Sequence, residues 1–438
     1  MPIEEQYRPL FHRTGILVGG RRFEEWTDYS IGADMFNPSD AFSMRCGPMP
    51  RDILREVLPG HDISIYFGND TEDHIILGGW IEGFNHVTDK EYESTDISGR
   101  DLASDLIENS VPQGLDVRGK TFYDLAQIIC NPFDIPVLCT NEANRLAIAN
   151  KKKWKKAMLQ YGLNTIQYNN HVVKIMGMGP YLMTHGAARS VLANSGVKHP
   201  VAPPWVGSIF KTLDDAEPQD GESCWDFLVR YAEKLEVHMW MSASGMLVIQ
   251  RPRYDQDPLY TFIVSESNPE QTNCRMRYGL DIGGMPTKLT RTGKYVGKGE
   301  KRDRLETFYE STKIIPTSDE NTIIPEGSIK VASHFTREKW THDQESANLS
   351  ELKRKNYYDM VAAETGFQDL EVIVPGHDQG GNLYTFDTVA RVRHEPLGID
   401  RNFYVAACTY DLDPKREYMS GPTTTLRLTP LNAWSPMA

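Results

Sequence analysis

Apolar and polar residues alternate with a period of two along most of the first hundred positions. From 75 to 87 the apolar residues Ile75, Leu77, Ile81 and Val87 fall on odd positions, with Gly79, Gly83 and Asn85 between them. That is the period of a strand with one buried face. Asp89-Lys90 turns the chain, and 92–97 pairs back as a more polar strand. Ahead of this hairpin, 14–18 and 21–30 flank a Gly19-Gly20 turn, and 41–46 and 63–67 carry the same signature. About six strands therefore precede the first helix, an order that predicts a barrel or sandwich and not a doubly wound sheet.

The period then changes to that of helices. Ser98-Gly99-Arg100-Asp101 has the S-x-x-D form of a capping box, predicting a helix that buries Leu102, Ala103, Leu106 and Ile107. Thr121 to Asp124 is a second box, opening a helix through Leu125, Ala126, Ile128 and Ile129 that Asn131-Pro132 stops. Ser223 to Asp226 is a third, with Phe227, Leu228, Tyr231, Ala232 and Leu235 turned inward and a hairpin, 238–242 with 246–251, behind it. From 261 the pattern is β again: 261–264, 273–280, 289–292 and 329–333 precede a longer helix over 344–365, with Leu352, Tyr357, Met360 and Val361 on one side. The strands 370–374, 388–394, 403–410 and 423–428 follow, with Gly398-Ile399-Asp400 as a turn among them.

The fold class read from these elements is α+β, mainly β, with two β-rich ends flanking a small α/β module. The expected domains are 1–110, 111–260 with an insertion at about 138–221, and 261–438. The insertion carries Lys151-Lys152-Lys153-Trp154-Lys155-Lys156, a solvated helix face or a contact for an acidic partner or nucleic acid. Positions 294–304 read as a charged loop.

Charge and composition exclude several classes. Lys+Arg 47 against Asp+Glu 60 gives −13 over 438 residues, which argues against a general nucleic-acid binder. No apolar run reaches the roughly 20 residues of a membrane helix. The first fifteen residues are charged and hold no signal-peptide core. Six scattered cysteines include no C-x-x-C, which reads as buried free thiols; a Cys130–Cys139 bridge is the alternative.

Motifs of chemistry are sparse. H-E-x-x-H and G-x-S-x-G are absent. The glycines of 293–299 lack phosphate-loop spacing. His334 and His342 stand eight apart, and His377-Asp378 sits in a Pro-Gly-rich turn at 375–381. Two carboxylates facing a cleft would serve glycoside hydrolysis; Glu82, mid-strand, reads instead as facing solvent or an interface, and Glu108, at a helix end, as a surface charge. The expectation is a chain with no catalytic residue, cofactor or metal.

The junction Ile97-Ser98-Gly99-Arg100-Asp101-Leu102 resembles one in the baseplate hub proteins of contractile phage tails, the Mu-type hub above all, a family related to the T-even hub. Three further stretches resemble that family in the same order: 121–136 its second helix, 221–251 its third helix and hairpin, and 388–431 its C-terminal strands with the L-G-I-D-R turn. The resemblance implies two tube-like β-barrel domains per chain and a homotrimer whose six barrels match a sixfold tail tube to a threefold spike. It implies as partners a trimeric central spike protein, the tail tube ring, and baseplate wedge or surrounding ring proteins. DNA would be met only in transit, and there would be no membrane insertion. The place would be the tail baseplate of a virion assembled in the bacterial host cytoplasm. Ser98, Gly99, Arg100, Asp101, Gly398, Ile399 and Asp400 are the candidate junction or interface residues. A tail-associated cell-wall hydrolase and an unrelated β-rich carbohydrate- or partner-binding protein are the alternatives.

Overall fold

The computed structural model describes residues 14–138 apart from 69–74, 113, 116 and 118, and 218–250 apart from 236. It further describes 252–343 apart from 297–302, 312–313, 317–328 and 332–333, single positions between 349 and 363, and 368–413 and 421–431. The chain divides into two compact units, one of 1–252, 376–383 and 409–422, the other of 253–375, 384–408 and 423–438.

The first unit opens with β1 (Thr14–Val18), β2 (Arg21–Phe23), β3 (Asp28–Asp34), β4 (Ala41–Cys46), a short α1 (Arg51–Leu54), β5 (Asp62–Phe67), β6 (Ile75–Thr88) and β7 (Glu93–Asp101). Their order in the sheet is β3-β4-β7-β6-β5-β1-β2, and neighbours run antiparallel. The alternation in the sequence becomes an alternation of burial, strict in β3 and β4. Ile16, Ile31, Phe42, Met44, Ile65, Leu77, Ile81 and Ile97 form the inward rows. Asp89 makes the turn between β6 and β7, its carboxylate accepting the N–H groups of Glu91 and Tyr92.

α2 (Ala103–Glu108), α3 (Phe122–Cys130) and α4 (Cys224–Lys234) pack with β8 (Val137–Leu138), β9 (His238–Met241) and β10 (Leu247–Gln250) into the α/β module of the same unit. Phe122, Leu125, Ala126, Phe227, Leu228, Leu247 and Ile249 are its buried centre. The Thr121 capping box forms in both directions, and Ser223 accepts the Asp226 N–H. β8 pairs parallel with β10, a strand the sequence pattern does not announce because it is two residues long.

The second unit contains β11 (Tyr260–Val264), β12 (Arg275–Leu280), β13 (Lys288–Val296), β14 (Asp303–Glu310), β15 (Ile314–Pro316), β16 (Ile329–Val331), β17 (Glu338–His342) and β18 (Gln368–Pro375). After a β19–β20 hairpin (Asp378–Gln379, Asn382–Leu383) that belongs to the first unit come β21 (Thr388–His394), β22 (Ile399–Leu412) and β23 (Pro422–Pro430). The main sheet runs β12-β18-β23-β22, with β21 on β22 and β11 parallel to β21. A smaller sheet, β14-β13-β17, is covered on one side by helical positions between 349 and 363, where Leu352, Asn356 and Met360 are buried.

The chain is thus mainly β, and each unit has a largely antiparallel sheet. Among the described residues neither main sheet closes into a barrel. The expected charged loop at 294–304 is strand at both its ends: β13 continues to Val296 and β14 starts at Asp303. Its charges hid the strands, since charged residues interrupt the apolar alternation by which a strand is read. The basic run Lys151–Lys156, with the rest of 139–217, Cys139 and Val361, lies outside the described residues.

Candidate functional site

The first junction forms differently from the capping box. Ser98 to Asp101 stay in β7, and α2 begins after Leu102 with no side-chain cap from Ser98. The reason is pairing: 97–100 are bonded on both sides, to β4 and to β6, and ladder bonds on two edges outweigh one cap. Asp101 takes over the capping task. Its Oδ1 accepts the Ala103 N–H at 3.1 Å and the Ser39 hydroxyl at 2.6 Å, while its carbonyl accepts the Ser104 hydroxyl at 2.8 Å.

Ser98 is exposed and stands opposite Gly83, where β6 bulges between Ile81 and Gly83. Without a capping role, Ser98→Ala should change stability by less than about 0.5 kcal/mol, as surface substitutions do. Urea unfolding measures this; a loss near the typical 1 kcal/mol of a lost cap would restore the cap.

Arg100 is the hub of the site. Its guanidinium donates to Glu82 on β6 at 2.9 and 3.0 Å and to Glu108 at the end of α2 at 2.9 Å. The Glu82 and Glu108 carboxylates are thus both held on one guanidinium. Beside them the Trp80 indole N–H donates to Asp105 at 2.8 Å. An open cavity of about 510 Å³ is lined by Pro59, Trp80, Glu82, Asp105 and Glu108.

Asp101 is buried, and that burial pushes its carboxyl up to about 6 against the hydrogen bonds it accepts. Burial and then the neighbouring Asp101 charge push Asp40 well up as well. A folded pKa above the unfolded value of about 3.9 means the native state holds a proton that the unfolded chain has released. Stability should then fall as pH rises from about 4 through 6. Thermal unfolding at pH 5 and pH 7 checks this. The melting temperature should be higher at pH 5, and Asp101→Asn, which keeps the Oδ1 acceptor, should reduce the difference.

The C-terminal turn is built from a 3-10 turn, Glu395–Leu397, ended by Gly398 at φ 63°, a left-handed conformation that glycine adopts without strain. Ile399 starts β22. Asp400 then faces β21 and accepts from Arg391 at 2.9 and 3.1 Å, which lowers its carboxyl below its usual range. Glu395 is held low as well, at about 2, because it accepts the N–H groups of Ser267 and Glu266 and the hydroxyls of Ser265 and Ser267.

Two further positions differ from the sequence reading or escape it. His377 lies in a bend, as its Pro-Gly-rich surroundings predict, but is buried there in a way they do not announce: it is 1% exposed, stacks on Phe67 at 4.4 Å and bonds the Tyr29 hydroxyl at 2.8 Å. Asp387, at φ 56°, accepts the Arg253 N–H and Nε and the Tyr404 hydroxyl within 2.8–2.9 Å. Their partners are 348 and 134 residues away, so no local pattern marks them. Among the described residues no group of three or more His, Cys, Asp or Glu could hold a metal ion, and no helix is long and apolar enough to cross a membrane. Cys46, Cys130, Cys224, Cys274 and Cys408 are buried free thiols.

No curated protein matches the chain. Residues 14–101 match the family model described as Mu phage baseplate assembly protein GpP-like, N-terminal. Among solved structures, the tail protein from Neisseria meningitidis MC58 aligns with TM-score 0.65 and 22% identity over 97% of this chain and 98% of that one. The 43 kDa tail protein of prophage MuSo2 from Shewanella oneidensis aligns with TM-score 0.65 and 14% identity over 96% and 99%. At those identities the likeness is one of fold. The resemblance in the sequence therefore holds: β1 through β7, ending on Asp101, match the N-terminal domain of the Mu phage baseplate assembly GpP-like family, and nearly the whole chain shares the fold of these two tail proteins.

Proposed function

We propose that the chain is a structural hub of a contractile-tail baseplate and not an enzyme. The observation that carries this reading is the family match over 14–101 together with a shared tail-protein fold over nearly the full length. In this reading three chains form a ring, each chain supplying two similar β-rich units, so that six surfaces meet the sixfold tail tube and three meet the central spike. A chain contributing two equivalent surfaces is the simplest device for changing symmetry from six to three. The two units, each built on a largely antiparallel sheet, are the parts that would act as tube-like barrels in the ring.

The tail tube ring above, the trimeric spike below and the wedge proteins around are the partners, in a baseplate assembled in the host cytoplasm. The Ser98–Asp101 and Gly398–Asp400 junctions hold strand ends in place for those contacts. A net charge of −13 suits a conduit through which DNA slides without sticking. Light scattering tests the assembly: a particle of three times 49.7 kDa, alone or on adding the neighbouring spike, is expected. A monomer indifferent to the spike would overturn the reading.

A further inference from the structure

The outer face of the β14-β13-β17 sheet stands apart from the rest of the second unit. Thr290 on β13 is the register partner of Phe308 on β14 and of Trp340 on β17, so the three side chains share one row on one face. Phe308 is 62% exposed and Trp340 61%, the two most exposed large apolar side chains among the described residues. Thr290 between them is buried, and its hydroxyl has no hydrogen-bond partner among the described residues. An unsatisfied buried hydroxyl within an exposed aromatic row is costly, and ceases to be so when a partner covers the row and supplies a donor or acceptor.

The neighbouring rows give the partner its character. One holds Glu310, Lys288 and Glu338, the other Glu306, Thr292 and His342. Glu306, Glu310 and Glu338 are exposed. The one lysine of the grid is already engaged, its Nζ 5.0 Å from the Phe308 ring centre and 4.0 Å from Glu338. An aromatic centre with an acidic rim is complementary to an apolar side chain flanked by lysine or arginine. The outer edges of β14 and β17 pair with nothing else among the described residues, so an extended segment can also add to the sheet.

We propose that this face docks a segment of a partner protein in which apolar and basic residues alternate, the apolar side chains covering Phe308, Thr290 and Trp340 and the basic ones meeting Glu306, Glu310 and Glu338. The inference rests on the sheet alone and holds whether or not the chain forms a hub ring.

The test uses the full chain and three probes: a peptide of alternating leucine and lysine, the same peptide with glutamate for lysine, and a chitin hexasaccharide. Binding is followed by tryptophan fluorescence and calorimetry. The leucine–lysine peptide should bind, at least tenfold more tightly than the other probes. Phe308→Ser with Trp340→Ser should weaken it by tenfold or more. Glu306→Gln, Glu310→Gln and Glu338→Gln together should weaken it similarly and remove its salt dependence. Because the row is exposed, these variants should melt as the parent does. Binding that survives both variant sets would be diffuse attraction to the net negative chain and would overturn the proposal. Preference for the glutamate peptide or the sugar, or no binding by any probe, would overturn it too.

Discussion

Gly99→Ala is expected to destabilise the first unit by about 3 kcal/mol, the upper part of the range for forced overpacking. A Cβ at position 99 would stand 1.9 Å from the Trp80 carbonyl oxygen and 2.9 Å from two Phe42 ring atoms. The oxygen belongs to the β6 backbone, which no rotamer change can move aside. Gly79 answers it from the other strand, where a Cβ would meet the Arg100 carbonyl oxygen at 2.0 Å. The two glycines let β6 and β7 approach beside Ile81 and hold Arg100 toward Glu82 and Glu108. Urea unfolding of the variant checks the loss. Gly284→Ala, where a Cβ meets nothing within 4 Å, is the control and should stay within about 0.5 kcal/mol of the parent. Equal midpoints for the two variants would contradict the packing.

Asp387→Ala should cost the second unit about 3–5 kcal/mol, the usual result of leaving a buried charged partner unmatched. Asp387 is 4% exposed, and its carboxylate receives Arg253 twice and the Tyr404 hydroxyl once. Its removal leaves Tyr404, fully buried, without that acceptor and Arg253 without its carboxylate. Position 387 also lies at φ 56°, where alanine is strained and aspartate tolerated. Asp387→Asn separates the contributions: it keeps the shape and one acceptor, so it should fall between parent and alanine. A melting temperature unchanged in Asp387→Ala would show that the Arg253 clasp does not hold the unit.

Where local physics decides, the sequence is a good guide to this fold. The alternation of β3 and β4 survives as alternate burial, that of β6 only as far as Ile81, since beyond the bulge Val87 is exposed, and Thr121 and Ser223 cap helices as their spacing predicts. Ser98 has the same spacing and no cap, because β4 and β6 both claim its strand; tertiary pairing overrode a local preference worth about 1 kcal/mol. β14 and β17 escape notice because their outward rows are charged or aromatic instead of polar. The candidate site is legible in part: Gly99, Arg100 and Asp101 do sit where strands and helix meet. That Arg100 joins Glu82 to Glu108 depends on a register set by the bulge at Gly83, which the sequence does not announce.

The central claim is that three copies of this chain form one ring between tail tube and spike. Averaged electron-microscope images of tails carrying a tagged version of the chain test it most directly. The account predicts three tags around the axis at the tube–spike boundary. Six tags, tags at the periphery, or tails that lack the chain would contradict it.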